Sequence, residues 1–476
     1  MKMKWFLSII VGVFCFAGCS KSLSEVNNNP NAPEQTDPQF LLSNVIYQTA
    51  KNNAEEGWKN GSLLAQHTSN IEFFPVDRYD LGTNTELWNA TYRLLNDVYT
   101  IENSPLSNQA YKGVALVLRS VLASLLTDLW NDVPYSQAIK GASSDIFAPA
   151  YDKQQDIYTG PDGILKNLEK AAQILSATSD VINGDILYKG DLTKWVRLAN
   201  SLQVRYLVRI SKKVNVSAPL QALVTGNRLL RNNADNAVIP FLASAPNQWF
   251  LINEREGRYA DVRMSKVSEQ ILLPLNDART GVYFKPTLAS QAAGNPTYKG
   301  LPNGLSRQSQ NAFNFNDISL IGKLFRDDAT GVNAPIMTYH ELQFLLAEAG
   351  QKGFITGAAT SYYEAGIRAA HAYYNTALPS GYLGHPGVVL NGNEDLKKIM
   401  TQKWIANFLN GYEAWIDIRR TGFPQLTVPQ DNLNNNRFPV RFRYPSTEQA
   451  ANNSNYQTAV QRIGGDSYDS KGWWEN

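Results

Sequence analysis

Between residues 109 and 130 the side chains Tyr111, Val114, Ala115, Leu118, Val121, Leu122, Leu125, Leu126 and Leu129 recur every three or four positions. That spacing lays them along one face of an α-helix, and so long an apolar stripe must pack against others to be stable in water. Asn131-Asp132-Val133-Pro134 stops the run, because proline lacks the amide proton a continuing helix needs. Comparable stripes predict helices over about 153–177 (Ile164, Leu165, Leu168, Ala171, Ala172, Leu175) and 191–211 (Trp195, Leu198, Ala199, Leu202, Tyr206, Ile210). Others cover about 336–352, 356–375 and 394–418, the last with Ile399, Ile405, Phe408, Leu409, Tyr412 and Ile416. Gly160-Pro161-Asp162-Gly163 reads as a turn within the first of these, and Gly353 separates 336–352 from 356–375. Asp37-Pro38 has the form of an N-cap followed by proline in the first turn, ahead of Phe40, Leu41, Val45 and Ile46. The expected fold class is mainly α, antiparallel helices carrying large loops.

The pattern weakens between about 213 and 335, where Gly, Pro, Asn and Ser crowd in, as in Asn295-Pro296-Thr297-Tyr298-Lys299-Gly300. The end of the chain is also loop-like and closes on Gly472-Trp473-Trp474. Long irregular segments on a rigid scaffold often carry function. With 43% apolar residues the 476-residue chain can bury a sizeable core, so a disordered chain is excluded. Lys plus Arg number 44 and Asp plus Glu 42, which leaves no basic field for nucleic acid. Charged residues are only 18%; Asn, Gly, Tyr and Trp share the surface, a balance suited to neutral ligands.

The first residues point to the membrane. Lys2 and Lys4 precede an apolar run from Trp5 to Phe16, too short to span a bilayer permanently. Ala17 and Gly18 then lead into Cys19, the arrangement of a bacterial lipobox with Phe16 where Leu is usual. The expectation is a signal peptide over 1–18, a lipidated Cys19, a flexible tether over 19–37 and a folded region over 38–476. An ordinary signal peptide followed by a chance Cys is the alternative. Cleavage before Cys19 removes Lys2 and Lys4 and leaves acidic and basic side chains equal in number. It also removes Cys15, and acylation converts Cys19 to a thioether, so thiol catalysis, a Cys metal site and redox function are not expected. More than one acyl chain gives stable anchoring.

Chemistry-bearing motifs are scarce. His67, His340, His371 and His385 have no metal-ligand spacing, and His340-Glu341 lacks a second His. There is no G-x-S-x-G, phosphate loop or dinucleotide fingerprint. A glycosidase carboxylate pair is defined in space rather than in sequence. No enzyme activity, metal or cofactor is expected.

Several ordered stretches resemble the SusD/RagB family of surface lipoproteins that serve outer-membrane nutrient importers. They include Leu126-Thr127-Asp128-Leu129-Trp130-Asn131-Asp132-Val133-Pro134-Tyr135, with Asn131 where the family usually has Gly. Pro149-Ala150-Tyr151-Asp152 and Gly190-Asp191-Leu192-Thr193-Lys194-Trp195 follow, then Arg205 and the helix from Glu341 to Glu348. Trp404-Ile405-Ala406, Gly411-Tyr412-Glu413-Ala414-Trp415 and Arg419-Arg420-Thr421-Gly422 form the most family-specific block. Arg443-Tyr444-Pro445 and Trp473-Trp474 match the ending, while Asn276-Asp277-Ala278-Arg279 has Ala where Pro is common. The resemblance implies TPR-like antiparallel helix pairs with a large irregular, loop-rich, ligand-facing half. It also implies a SusC-like TonB-dependent outer-membrane β-barrel partner, over which the protein sits as a lid facing the cell exterior. Trp404, Trp415, Asp417 and Arg419 fall on a packed helix, where core and buried-pair roles outweigh ligand contact.

Members of that family that bind glycans stack exposed aromatics on sugar faces and add amide and Arg hydrogen bonds. Such residues lie in variable loops and are read here from composition. One candidate segment carries Phe73, Phe74, Arg78 and Tyr79. A second carries Trp249 and Tyr259, with Phe250, Asn253 and Arg255 between, and a third carries Tyr298. For each ring the alternative is packing within the loops or against the barrel. The expected ligand is an oligosaccharide; a RagB-like peptide capturer and a surface glycoside hydrolase are the competing readings.

Overall fold

The Asp37 carboxylate accepts the Gln39 amide and Pro38 fills the first turn of the first helix, α1 (Pro38–Glu56), as a capped N-terminus requires. The computed structural model describes residues 36–71, 74–252 and 256–476. The expected signal segment, Cys19 and nearly all of the tether lie outside the described residues.

After α1 come α2 (Thr85–Asn103), α3 (Gln109–Trp130), α4 (Ile164–Ala177) and α5 (Leu192–Arg209). Each packs on the helix before it, and α5 then packs on α6 (Tyr339–Gln351). α6 in turn holds α7 (Ala359–Tyr373) and α8 (Asp395–Ala406), and α9 (Glu413–Thr421) follows α8. This is the mainly α, helix-pair architecture that the stripes and the resemblance imply. α3 is long and apolar enough to cross a membrane, but 83% of its apolar window is buried among its neighbours. Three short antiparallel ribbons tie the loops together. β1 (Thr68–Asn70) pairs with β5 (Val262–Met264), β2 (Val133–Pro134) with β3 (Tyr151–Asp152), and β4 (Ala237–Pro240) with β6 (Asn333–Met337). α1 rests on β6, so the loop-rich half is seated against the first helix.

The family-specific residues serve this scaffold. Arg205 of α5 donates to both Glu341 oxygens at 2.6 Å and to the Ile336 carbonyl at 2.9 Å. Arg209, one turn on, bridges Asp128 of α3 and Glu413 of α9. Arg420 binds Glu348 and Asp417, and Lys403 reaches Asp417 at 2.8 Å. The Arg419 guanidinium lies between the rings of Trp415 and Trp474, 4.5 and 4.7 Å from their centroids. The closing Gly-Trp-Trp is thereby a plug: Trp474 is fully buried and donates from Nε1 to Asp128 at 2.9 Å. Asp277 and Arg279 form a fully buried pair, with Arg279 also donating to Gln402 at 2.8 Å.

The expected helix over 394–418 is two helices. Between α8 and α9, Leu409 and Gly411 take φ of +59° and +51°. The chain bends here because α1 leads into a π-helical turn, Gly57–Gly61, whose backbone presses on this segment. A Cβ on Gly61 would sit 1.9 Å from the Gly411 carbonyl oxygen, so only glycine permits the contact. α2 is a helix beyond those that the sequence stripes predict, with Leu87, Trp88, Leu94, Leu95, Val98 and Ile101 buried along it. Its cap gives no signal: Asn84 makes no side-chain capping bond and is left-handed at φ +44°. The loop-like end of the chain contains two short helices, Ser446–Ala451 and Asn453–Arg462.

Candidate functional site

β1 delivers the chain into a 3-10 turn, Val76–Arg78, that ends at Tyr79 with φ +67°. At its centre the Asp77 carboxylate is buried. It accepts Asn303 Nδ2 at 2.6 Å and the amides of Gly304 and Asn70 at 2.9 and 3.2 Å. Burial pushes its pKa up to about 6, with the donors from Asn303, Gly304 and Asn70 pulling the other way. Next to it, Arg78 Nε donates to the Asp431 carbonyl at 2.7 Å and the Arg78 carbonyl accepts the Leu433 amide at 2.6 Å. The Ser306 amide donates to the Asp431 carboxylate at 2.8 Å, and hydrogen bonds from Ser309 and Ser306 hold that carboxyl below its ordinary range. Gly304, at φ +63°, passes so close that a Cβ would lie 2.5 Å from the Asp77 carbonyl oxygen. Residues 74–79, 302–310 and 427–438, far apart in sequence, are thus one face. It presents a half-buried Phe74, an exposed Leu433 and the exposed Arg307, Asn435, Asn436 and Arg437.

Of the rings in the expected ligand segments, Phe74, Phe250 and Tyr298 retain partial exposure among those described. The expected exposure of the other three is corrected. Tyr79 is 1% exposed; its hydroxyl accepts Gln66 Nε2 at 3.1 Å and its ring meets Phe438 edge-on at 5.7 Å. Trp249 is fully buried, donating from Nε1 to the Phe325 carbonyl at 3.0 Å. Tyr259 is buried too, donating to the Ile321 carbonyl at 2.6 Å. Trp58, from the π-helical turn, stacks parallel to Tyr259 at 6.4 Å and meets Trp249 edge-on at 6.3 Å. The lack of a helical stripe around these rings did not leave them without partners, because loops recruit partners at no fixed period. Tyr298 turns its hydroxyl toward Gly281. Phe73, Asn253 and Arg255 lie outside the described residues. Leu433 and the Asn435-Asn436 pair, which lie in the loop-like end of the chain, join the face through the Arg78 and Asp431 bonds.

A pocket of about 290 Å³ lies where the loop half meets the scaffold. Trp249, Phe325, Tyr374 and Phe408 line it, with His340 and Asn410 as polar members. Burial, first, and the Arg279 charge hold the His340 pKa down to about 3, so the ring is a neutral wall. His67, likewise held down to about 3 by burial, hydrogen-bonds the Trp404 carbonyl at 2.8 Å. Among the described residues no cluster of His, Cys, Asp and Glu is arranged to hold a metal ion.

The Asp77 environment sets a sign for pH. A carboxyl whose folded pKa, about 6, stands above the ordinary 3.8 is stabilising below that ordinary value and loses its contribution as pH rises through 6. Asp77→Asn removes this titration. The stability difference between the two proteins is expected to shift in favour of the wild type when unfolding is measured at pH 4 rather than pH 7. A difference that is the same at both pH values would show that Asp77 does not titrate there.

The SusD-like_2 family, described as starch-binding and associating with the outer membrane, matches residues 30–445. A SusD homologue from Bacteroides fragilis superposes with a TM-score of 0.82 at 26% identity, over 93% of this chain and 100% of that one. A chitin-binding protein superposes at 0.77 with 26% identity, over 92% and 99% of the two chains. A chitin-binding SusD homologue from Flavobacterium johnsoniae, at 24% identity, shares the fold at 0.76 over 92% and 98%. No curated protein matches the chain.

Proposed function

The chain belongs to the SusD-like_2 family of starch-binding, outer-membrane-associated proteins, and from that premise we propose that it captures neutral oligosaccharide on the face made by residues 74–79, 302–310 and 427–438. The observation that carries this reading is the clamp on Asp77 and Asp431. It holds three loops in one shape before any ligand arrives, so little ordering is left to oppose binding. The face offers what a sugar needs: the Phe74 ring and Leu433 for an apolar C–H face, and Asn435, Asn436 and arginines for its hydroxyl rim. The carboxylates of Asp77 and Asp431 are engaged by amide donors, which suits holding a ligand rather than cleaving it. A chitin-binding relative at 26% identity supports a glycan over a peptide.

In the same reading Cys19 is acylated, the segment up to Pro38 is a tether, and the protein is anchored in the outer membrane facing outward. There it acts as the lid and capture subunit of a SusC-like TonB-dependent barrel and is not itself an enzyme.

The test is calorimetry with a panel of neutral oligosaccharides. An aromatic face stacked on a ring contributes on the order of 1 kcal/mol beyond its buried area. Phe74→Ala is therefore expected to weaken binding about tenfold, which corresponds to about 1.4 kcal/mol, in a protein that still folds although the half-buried ring gives up its packing against the core. Unchanged affinity moves the site elsewhere, and turnover of the glycan favours the hydrolase reading.

A further inference from the structure

A second hollow opens between α1, α2, the segment 134–149 and residues 448–452. Its volume is about 970 Å³, at the upper end of small-ligand clefts, about 300–1,000 Å³. It continues into a further hollow of about 350 Å³ with which it shares Asn52, Asn89, Ala90 and Arg93, and which is otherwise lined mainly by Glu55, Glu56, Lys59 and Glu86. No residue of 302–310 or 427–438 lines either hollow.

The lining is unusual in its chemistry. Gln48 and Asn52 stand one turn apart on α1, and Asn89 and Asn96 two turns apart on α2. Among the described residues the side-chain amides of these four have no hydrogen-bond partner within the protein. Their neighbours differ: Asn44 is engaged by Asp97 at 3.2 Å, Tyr92 by the Pro134 carbonyl at 2.7 Å, and Asn452 by the Pro149 carbonyl at 2.8 Å. The engaged groups fix the walls and the four amides are left to face the hollow. Phe147 borders it with 79% of its surface exposed, the most of any large apolar residue described. An amide donates and accepts, as a sugar hydroxyl does, and Arg93, Asp97 and Glu448, which also line the hollow, can bond the same hydroxyls. An uncovered ring beside such amides matches the apolar face of a pyranose.

We infer that the α1–α2 groove is a second binding site for neutral oligosaccharide, with Phe147 as its stacking ring and Gln48, Asn52, Asn89 and Asn96 as its hydroxyl readers. This rests on the reading that the protein captures neutral glycan, and adds a separate place where it does so.

The test uses the purified full-length protein with maltohexaose and chitohexaose as probes, read by calorimetric stoichiometry. The expected result is two sites per chain for at least one probe. Phe147→Ala, and separately Gln48→Ala with Asn52→Ala, should each weaken one site tenfold or more and leave the other. Phe147 is exposed, and Gln48 and Asn52 are half-buried with no side-chain bond to lose, so each variant should melt close to the wild type. Phe74→Ala should weaken the other site alone. Binding lost only with Phe74→Ala, with Phe147→Ala indistinguishable from wild type, overturns the groove and leaves the Asp77-clamped face. Binding lost only with Phe147→Ala upholds the groove and overturns that face. Failure of both probes to bind the wild type overturns the groove as a neutral-glycan site.

Discussion

Replacing Arg209 with Met is expected to destabilise the protein by about 3–5 kcal/mol, the usual cost of stripping one partner from a buried ion pair. Arg209 is 3% exposed and joins Asp128 on α3 to Glu413 on α9, while its own helix, α5, carries Arg205 to Glu341 on α6. Asp128 also accepts the Tyr158 hydroxyl at 2.7 Å and Trp474 Nε1 at 2.9 Å, so it cannot turn toward water without undoing the carboxyl-terminal plug. Met fills much of the arginine's volume, so the loss isolates charge rather than packing. The two carboxylates left behind are buried, and Arg205, 3.9 Å from Glu413, is a more distant partner than the one removed. Burial raises the Glu413 pKa, but Arg209 and Arg205 outweigh it and hold that carboxyl down to about 2. A depressed carboxyl contributes stability above its ordinary value of 4.5 and loses it as pH falls toward 2. Without Arg209 that contribution shrinks, so the variant's deficit should be larger at pH 7 than at pH 3. Denaturant midpoints at the two pH values check both statements. A variant as stable as wild type at pH 7 would show that the network does not hold these helices together.

The scaffold was legible because a helix writes its buried face into the chain at a fixed interval. The stripes from Tyr111 to Leu129 and from Trp195 to Tyr206 needed no knowledge of what they pack against. The break between α8 and α9 was not legible, because its cause is remote: Gly57 and Gly61 bring another backbone against Leu409–Gly411, and the local pattern of Ile405, Phe408 and Tyr412 continues helically across the bend. The Asp77 clamp was hidden for a related reason. Its partners are Asn303, Gly304 and, through Arg78, Asp431, separated by hundreds of positions and by no repeating interval. Asp417 and Arg419 were legible as buried-pair residues from their place on a packed helix, and they pair with Arg420 and Glu475. Unpatterned aromatics carry no such information. Phe74 and Trp249 look alike in sequence, and only the fold separates the half-exposed ring from the fully buried one.

That separation makes Trp249 the sharpest contrast between what the chain suggests and what the fold does with it. Read from composition, Trp249→Ala weakens ligand binding and spares folding. In the structure Trp249 has no exposed surface, packs against Phe241 and Phe250 at 5.2 and 4.6 Å between centroids, and donates to the Phe325 carbonyl. Truncating a buried Trp to Ala costs about 3–5 kcal/mol, and more of that range is realised where the surroundings cannot collapse into the gap. Here they cannot: the ring already forms one wall of the pocket of about 290 Å³, so its removal enlarges an existing hollow. The expected result is therefore a lower denaturant midpoint with oligosaccharide affinity retained by the folded fraction. Trp249→Phe should recover most of the packing and lose the indole donor, leaving the Phe325 carbonyl unpaired at a cost of about 1–3 kcal/mol. Equilibrium unfolding of the two variants, with calorimetric titration under conditions where both are folded, distinguishes the roles. If Trp249→Ala unfolds like the wild type yet no longer binds, the ring faces the ligand after all, and the loop carrying it must open in solution.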